Sequence, residues 1–300
     1  MRAEGEVTRG TTNPSRLRRI DRWISGTQRA VLLSAARPLI VDLGYGASPV
    51  TTLELYRTVK KVAPDAEVTG LEIDQDRVTS ANRYLAGLRA KGTELPGLSF
   101  APGGFELPVS KRPVLVRAFN VLRQYQEERA WAAWNRLRGG LADGGVLVEG
   151  TCDELGRRAV WVTLSEASQR ITFSARLASL ERPSDLAERL PKVLIHRNVP
   201  GEPVYRFLRD FDHAWACAAP QSVFGPRQRW LAAVAALAQD WPVIRHPPYG
   251  GQVRWRLGEL TLPWAALAPV GEAGVLVMIT STDRRGVRPG PRTPGNPPPP

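Results

Sequence analysis

Between residues 38 and 150 the chain repeats one unit: a short apolar run, then a longer stretch with helical spacing. The runs are Leu39-Ile40-Val41, Val68 to Ile73, Leu98-Ser99-Phe100, Val114-Leu115-Val116 and Gly145 to Glu149. Residues 49–62, 75–90 and 127–139 lie between them and place apolar side chains three or four apart, as at Val50, Leu53 and Val59, Val62. A run that is apolar throughout is a strand buried on both faces. Strands separated by helices cannot be joined by tight turns, so they lie parallel, with the helices covering the sheet. The expected fold is α/β: a doubly wound, mostly parallel sheet with helices on both faces and a C-terminal extension.

The flanks differ from this core. Residues 1–37 form a basic arm and an N-terminal helix. Within them Asn13-Pro14-Ser15 starts a helix, and Leu17, Ile20, Trp23 and Ile24 form its apolar stripe. Residues 38–180 are the core, with strand pairs expected at 159–164 and 171–177. Residues 181–282 are an extension packed on the core, helical at 184–195, 204–218 and 226–238, with strands at 253–257 and 274–279. Residues 283–300 are a Pro/Gly/Arg tail expected to be disordered, since nothing in them can bury enough to offset ordering.

The formal charge of +12 is concentrated at the two ends. Eight arginines precede residue 38 against Glu4, Glu6 and Asp21, and four follow residue 280 against Asp283. These basic termini can attract nucleic acid at long range, but a nucleic-acid partner is not favoured. No run reaches the roughly 20 apolar residues of a membrane span. Two cysteines, Cys152 and Cys217, are too few for a disulfide framework. The expectation is a cytoplasmic protein without a metal site; His196, His213 and His246 are scattered.

In an open parallel sheet the ligand lies beyond the carboxyl ends of the strands. The first such loop is Asp42-Leu43-Gly44-Tyr45-Gly46-Ala47-Ser48-Pro49. Glycine there permits a tight turn and close ligand approach, and Ser48 with Pro49 suits a helix start. The second, Gly70-Leu71-Glu72-Ile73-Asp74, ends in an acid that can accept hydrogen bonds from ribose hydroxyls. Asp74 and Asp76 suit the start of the following helix.

Val41-Asp42-Leu43-Gly44-Tyr45-Gly46 followed by Gly70-Leu71-Glu72-Ile73-Asp74 resembles the first two motifs of the class I, Rossmann-like S-adenosylmethionine-dependent methyltransferases. The resemblance covers roughly residues 38–150. It implies S-adenosyl-L-methionine as cofactor, with Asp42, Gly44, Tyr45, Gly46 and Ser48 around the methionine moiety, and Glu72 with Ile73 at the ribose. Gly104 and Phe105 fall where the family contacts adenine, although the family's acid is replaced by Gly104. Asn120, in the fourth loop, faces the methyl group in that family; Asn120, Arg117 and Tyr125 are the catalytic candidates, with Arg123 as a further site for an acidic acceptor. Glu149, Thr151, Cys152, Asp153 and Glu154, after the fifth strand, are further acceptor-side candidates.

The expected function is methyl transfer to an unidentified acceptor. The alternative is a non-enzymatic cofactor-binding or scaffolding protein on the same fold. An NAD-dependent oxidoreductase ranks below both. Pro49 occupies the position where a dinucleotide fingerprint needs Gly or Ala, and it removes an amide from the pyrophosphate site. His246-Pro247-Pro248-Tyr249 resembles a loop of amino-methylating enzymes but lies far from the fourth strand and is read as a proline turn.

Overall fold

A computed structural model describes residues 3–7, 10 and 12–271. Its centre is an eight-stranded sheet in the order β3-β2-β1-β4-β5-β6-β7-β8. Strands β1 (Leu39–Leu43), β2 (Glu67–Glu72), β3 (Leu98–Pro102), β4 (Leu115–Phe119) and β5 (Val146–Cys152) are parallel, as their apolar runs required. Strands β6 (Arg158–Leu164), β7 (Gln169–Ala175) and β8 (Glu259–Pro263) then add antiparallel to β5 and to one another. The first five strands thus keep the doubly wound order, and the chain reverses direction between β1 and β4.

Helices α1 (Arg18–Thr27), α3 (Val50–Lys60) and α4 (Gln75–Ala90) cover one face of the sheet. There Ile20, Trp23, Leu53, Val59, Ala81 and Leu85 pack on Ile40, Val68, Leu115 and Val148. Helices α5 (Glu127–Gly140), α7 (Pro203–Cys217) and α8 (Pro226–Asp240) cover the other face. Trp134, Phe207, Phe211 and Trp230 lie there with Val41, Val116, Leu147 and Phe173. Adjacent residues of one strand serve opposite faces, which is the two-residue period of the pleat. Short helices α2 (Arg29–Leu32), α6 (Lys192–Ile195) and α9 (Gln252–Trp255) complete the set among the described residues.

Two expectations change. Residues 184–195 do not form one helix: a 3-10 helix at Pro183–Arg189 stops before Pro191, and α6 follows. Proline cannot supply the amide that would continue the helix. Residues 253–257 are not a strand; α9 runs there between Gly251 (φ 76°) and Gly258 (φ 75°), two left-handed glycines that start and stop it. The strand lies just beyond, as β8, where Thr172 and Thr261 meet hydroxyl to hydroxyl at 3.0 Å. The segment 274–279 and the tail 283–300 lie outside the described residues. No described helix is long and apolar enough to cross a membrane.

Candidate functional site

Loops at the carboxyl ends of β1 and β4, where the chain reverses direction, enclose a cavity of about 530 Å³. This is within the roughly 300–1,000 Å³ of small-molecule sites. The β1 loop supplies Gly44 and Gly46, whose φ values of 67° and 82° place both in the left-handed region that glycine adopts without strain. A side chain on Gly46 would also meet Thr12 Oγ1 at 2.7 Å. The Ser48 hydroxyl accepts from the Val50 amide at 3.4 Å as α3 begins. Tyr45 lines the cavity, and its ring packs edge-on against Phe100, centroids 5.2 Å apart.

From β4 come Phe119 and Asn120. Asn120 is left-handed (φ 61°), a conformation asparagine tolerates better than most residues. Its side-chain oxygen accepts from the Cys152 amide at 3.0 Å, and its Nδ2 donates to Cys152 Sγ at 3.3 Å. The contact ties the ends of β4 and β5 together. Burial raises the Cys152 thiol above its ordinary pKa, so it stays protonated at neutral pH. Arg16, Arg123, Glu154 and Arg189 line the rest of the opening.

Asp42 lies at the end of β1, as expected, but is already engaged. Arg117 Nε and Nη2 donate to its two oxygens at 2.8 and 2.7 Å, and Thr52 Oγ1 donates at 2.7 Å. A carboxylate has about four lone-pair sites, so roughly one remains for a ligand. Arg117 also bonds Asp21 and is fully buried. Burial alone would lower the Arg117 pKa; Asp21 and Asp42 override it and hold the guanidinium charged. Arg117 is therefore a wall element under the glycine turn, and its expected role at an acceptor is corrected. Removing one partner of such a buried pair costs about 3–5 kcal/mol.

Glu72 also differs from expectation: it does not face an open crevice. It is 2% exposed and accepts from Gly46 N at 2.9 Å, Ile73 N at 2.9 Å and Asp74 N at 3.4 Å, with Arg77 3.6 Å away. The carboxylate pins the β1 loop to the β2 loop. Asp74 caps α4, accepting from Asp76 N and Arg77 N.

The sequence marks an N-terminal arm but not where it runs. Its described residues Glu4–Val7, Gly10 and Thr12 lie across the loops as a strap. Glu4 O accepts from Phe105 N at 2.9 Å, and Glu4 N donates to Glu106 Oε2 at 2.8 Å. Gly104 faces the Glu4 carbonyl so closely that no side chain would fit there. Glu6 N donates to the Tyr125 hydroxyl, Gly10 O accepts from Ala47 N at 3.0 Å, and Thr12 Oγ1 donates to Tyr45 O at 2.9 Å. The space beside Glu72, Ile73, Gly104 and Phe105 shrinks to about 10 Å³. Tyr125 is 2% exposed beneath the strap, and burial raises its pKa, so it does not serve as a base at the cavity. The ten cofactor candidates thus divide. Asp42, Gly44, Tyr45, Gly46 and Asn120 line the cavity, Ser48 does not, and Glu72, Ile73, Gly104 and Phe105 lie under the strap. Among the acceptor-side candidates, Cys152 and Glu154 line the cavity, while Glu149 is buried against Trp134 Nε1 at 3.0 Å.

No protein-family model and no curated protein matches the sequence. Among solved structures, human N-acetylserotonin methyltransferase with S-adenosylmethionine is similar at 20% identity, over 47% of this chain and 39% of that one, TM-score 0.30. The O-methyltransferase of neocarzinostatin biosynthesis with S-adenosyl-L-homocysteine is similar at 17% identity, over 45% and 39%, TM-score 0.30. The cyclopropane synthase MmaA2 of Mycobacterium tuberculosis is similar at 15% identity, over 45% and 42%, TM-score 0.33. The chain thus spans less than half the length of each of these structures.

Proposed function

We propose that the protein is an S-adenosylmethionine-dependent methyltransferase whose cofactor lies across the carboxyl ends of β1 and β2 and whose acceptor enters beside Asn120. The observation that carries this is the 530 Å³ cavity between the Gly44–Gly46 turn and Asn120, at the point where the sheet order reverses. The donor set fits the cofactor's amino-acid half: two glycines without side chains, the remaining lone pair of Asp42 for an ammonium group, and Arg16 for a carboxylate. Its adenosine half fits once the strap lifts, because Phe105 N, now bonded to Glu4 O, is an amide at the position the sequence motif implies for adenine. The cofactor supplies an electrophilic methyl group. The chain's own task is then to hold a nucleophilic atom about 3 Å from it and in line, without water between them. Arg123 and Arg189 at the opening favour an acceptor that carries negative charge.

A second reading, a non-enzymatic module on this fold, is favoured by the strap and by the Arg117 lock on Asp42. Isothermal titration of the full chain separates the readings. The methyltransferase reading expects S-adenosylmethionine and S-adenosylhomocysteine to bind and NAD not to bind. NAD binding without either sulfur cofactor sinks it. Mass spectrometry of cell extract incubated with methyl-labelled cofactor and protein then identifies the acceptor; cofactor binding with no labelled product favours the module.

A further inference from the structure

Beside the cavity, at the same end of the sheet, lies a groove of about 590 Å³. Six arginines line it: Arg19 and Arg22 from α1, Arg176 after β7, Arg227 at the start of α8, and Arg254 and Arg256 around α9. One acid, Glu259, is present, and it is buried and paired with Arg254 at 3.3 Å. Arg19 is tethered to the Leu257 carbonyl at 2.9 Å. Arg22, Arg176, Arg227 and Arg256 are exposed and form no ion pair or side-chain hydrogen bond among the described residues. Burial lowers the Arg19 pKa; Glu259 pulls it back, and Arg176 and Arg22 push it down again, which places these cations in mutual repulsion. Such a set is stabilised by an anion with several charges.

We propose that this groove binds the phosphate backbone of single-stranded RNA. Guanidinium groups take phosphates through two parallel hydrogen bonds. Here they come from separate segments around a concave surface, which a linear polyanion can enter and a flat bilayer cannot. Phe224, 72% exposed, stands at the groove and offers a face on which a base can stack. Single strands, not duplexes, present unstacked bases to such a surface. The groove also leads somewhere. Helix α1 and the turn that leads into it are the shared wall, since Arg16 and Leu17 line the cavity while Arg19 and Arg22 line the groove. At about 1.5 Å per residue, the two sites are separated by only a turn or two of helix. A strand held in the groove can therefore place a nucleotide at the cavity mouth.

The test is fluorescence anisotropy of a 5′-labelled twelve-nucleotide oligouridine with the full chain at 50, 100 and 200 mM KCl, without any methyl donor. The outcome is thus independent of the function proposed for the cavity. Binding should weaken steeply with salt. The combined Arg176→Gln, Arg227→Gln and Arg256→Gln variant should bind at least tenfold more weakly at 50 mM. Its log–log salt slope should flatten by about 2, from three lost phosphate contacts at roughly 0.7 each. Phe224→Ala should weaken binding several-fold and leave the slope unchanged. The combination Arg83→Gln with Arg89→Gln, on α4, should bind as the parent does. The proposal is overturned if the parent shows no salt-dependent binding or if the triple variant matches it. It is equally overturned if phosphatidylserine vesicles bind through these arginines while the oligonucleotide does not.

Discussion

Glu72 joins two loops, and its consequence for stability follows from what its oxygens accept. Glu72→Ala would leave the amides of Gly46 and Ile73 buried without partners, at about 1–3 kcal/mol for each such group. The variant should therefore melt well below the parent in a calorimetric scan, and cofactor affinity should fall with it. Glu72→Gln keeps one acceptor oxygen and should lose less. Asp74→Ala removes the cap of α4 and should cost about 1 kcal/mol, with little change in cofactor titration. A Glu72→Ala protein with unchanged melting would show that the carboxylate does not pin the loops. The position of Glu72 at the end of a strand was legible in the sequence. Its burial was not, because the groups that use its lone pairs are backbone amides, and an amide leaves no mark on the residue type.

At the scale of elements the strap has the clearest effect. It covers the space beside Glu72 and Phe105 mainly through backbone groups of Glu4, Glu6 and Gly10, and its side-chain ion pairs Glu4–Arg136 and Glu6–Arg129 are half exposed. Exposed pairs contribute about 0–1 kcal/mol each, so the cost of displacing the strap is set by its few backbone hydrogen bonds, each about 0.5–1.5 kcal/mol net. Removing residues 1–12 should raise the affinity for S-adenosylhomocysteine by titration while lowering the melting temperature modestly. Lower affinity in the truncated chain would make the strap part of the binding site instead. The strands β1 to β5 were legible because each is an apolar run between a turn and a helix. The pattern at Val253, Trp255 and Leu257 misled, since alternation over five residues cannot distinguish a strand from one helical turn. Val253 and Leu257 are in fact exposed. The arginines Arg16, Arg18, Arg19 and Arg22, in α1 and just before it, do not share one role. Arg16 bonds the Asp153 carbonyl at 3.0 Å and Arg19 the Leu257 carbonyl, so half of that set holds the helix in place.

Over the whole molecule, buried carboxyls set the response to pH. Burial pushes Asp21 up to about 7, against the pull of Arg117, and Glu149 up to about 8. Glu259 shifts the same way, again chiefly through burial. In the unfolded chain these groups release their protons near pH 4. The folded protein therefore holds more protons between about pH 4 and 8, so stability is highest below that window and falls as pH rises through it. The melting temperature should be higher at pH 5.5 than at pH 8.5, and Glu149→Gln, which keeps a neutral partner for Trp134, should flatten the decline. A melting temperature that climbs over this range contradicts the assignment. The order of the strands has a further consequence. Ser174 of β7 pairs with Glu259 of β8, across everything between them in the chain. During synthesis at roughly 5–20 residues per second, β7 waits some 4–17 s for its neighbour to emerge from the ribosome. Throughout that interval the nascent protein carries an open, sticky sheet edge, so the span from Arg176 to Gly258 is where a translational pause would most expose it to aggregation or to a chaperone.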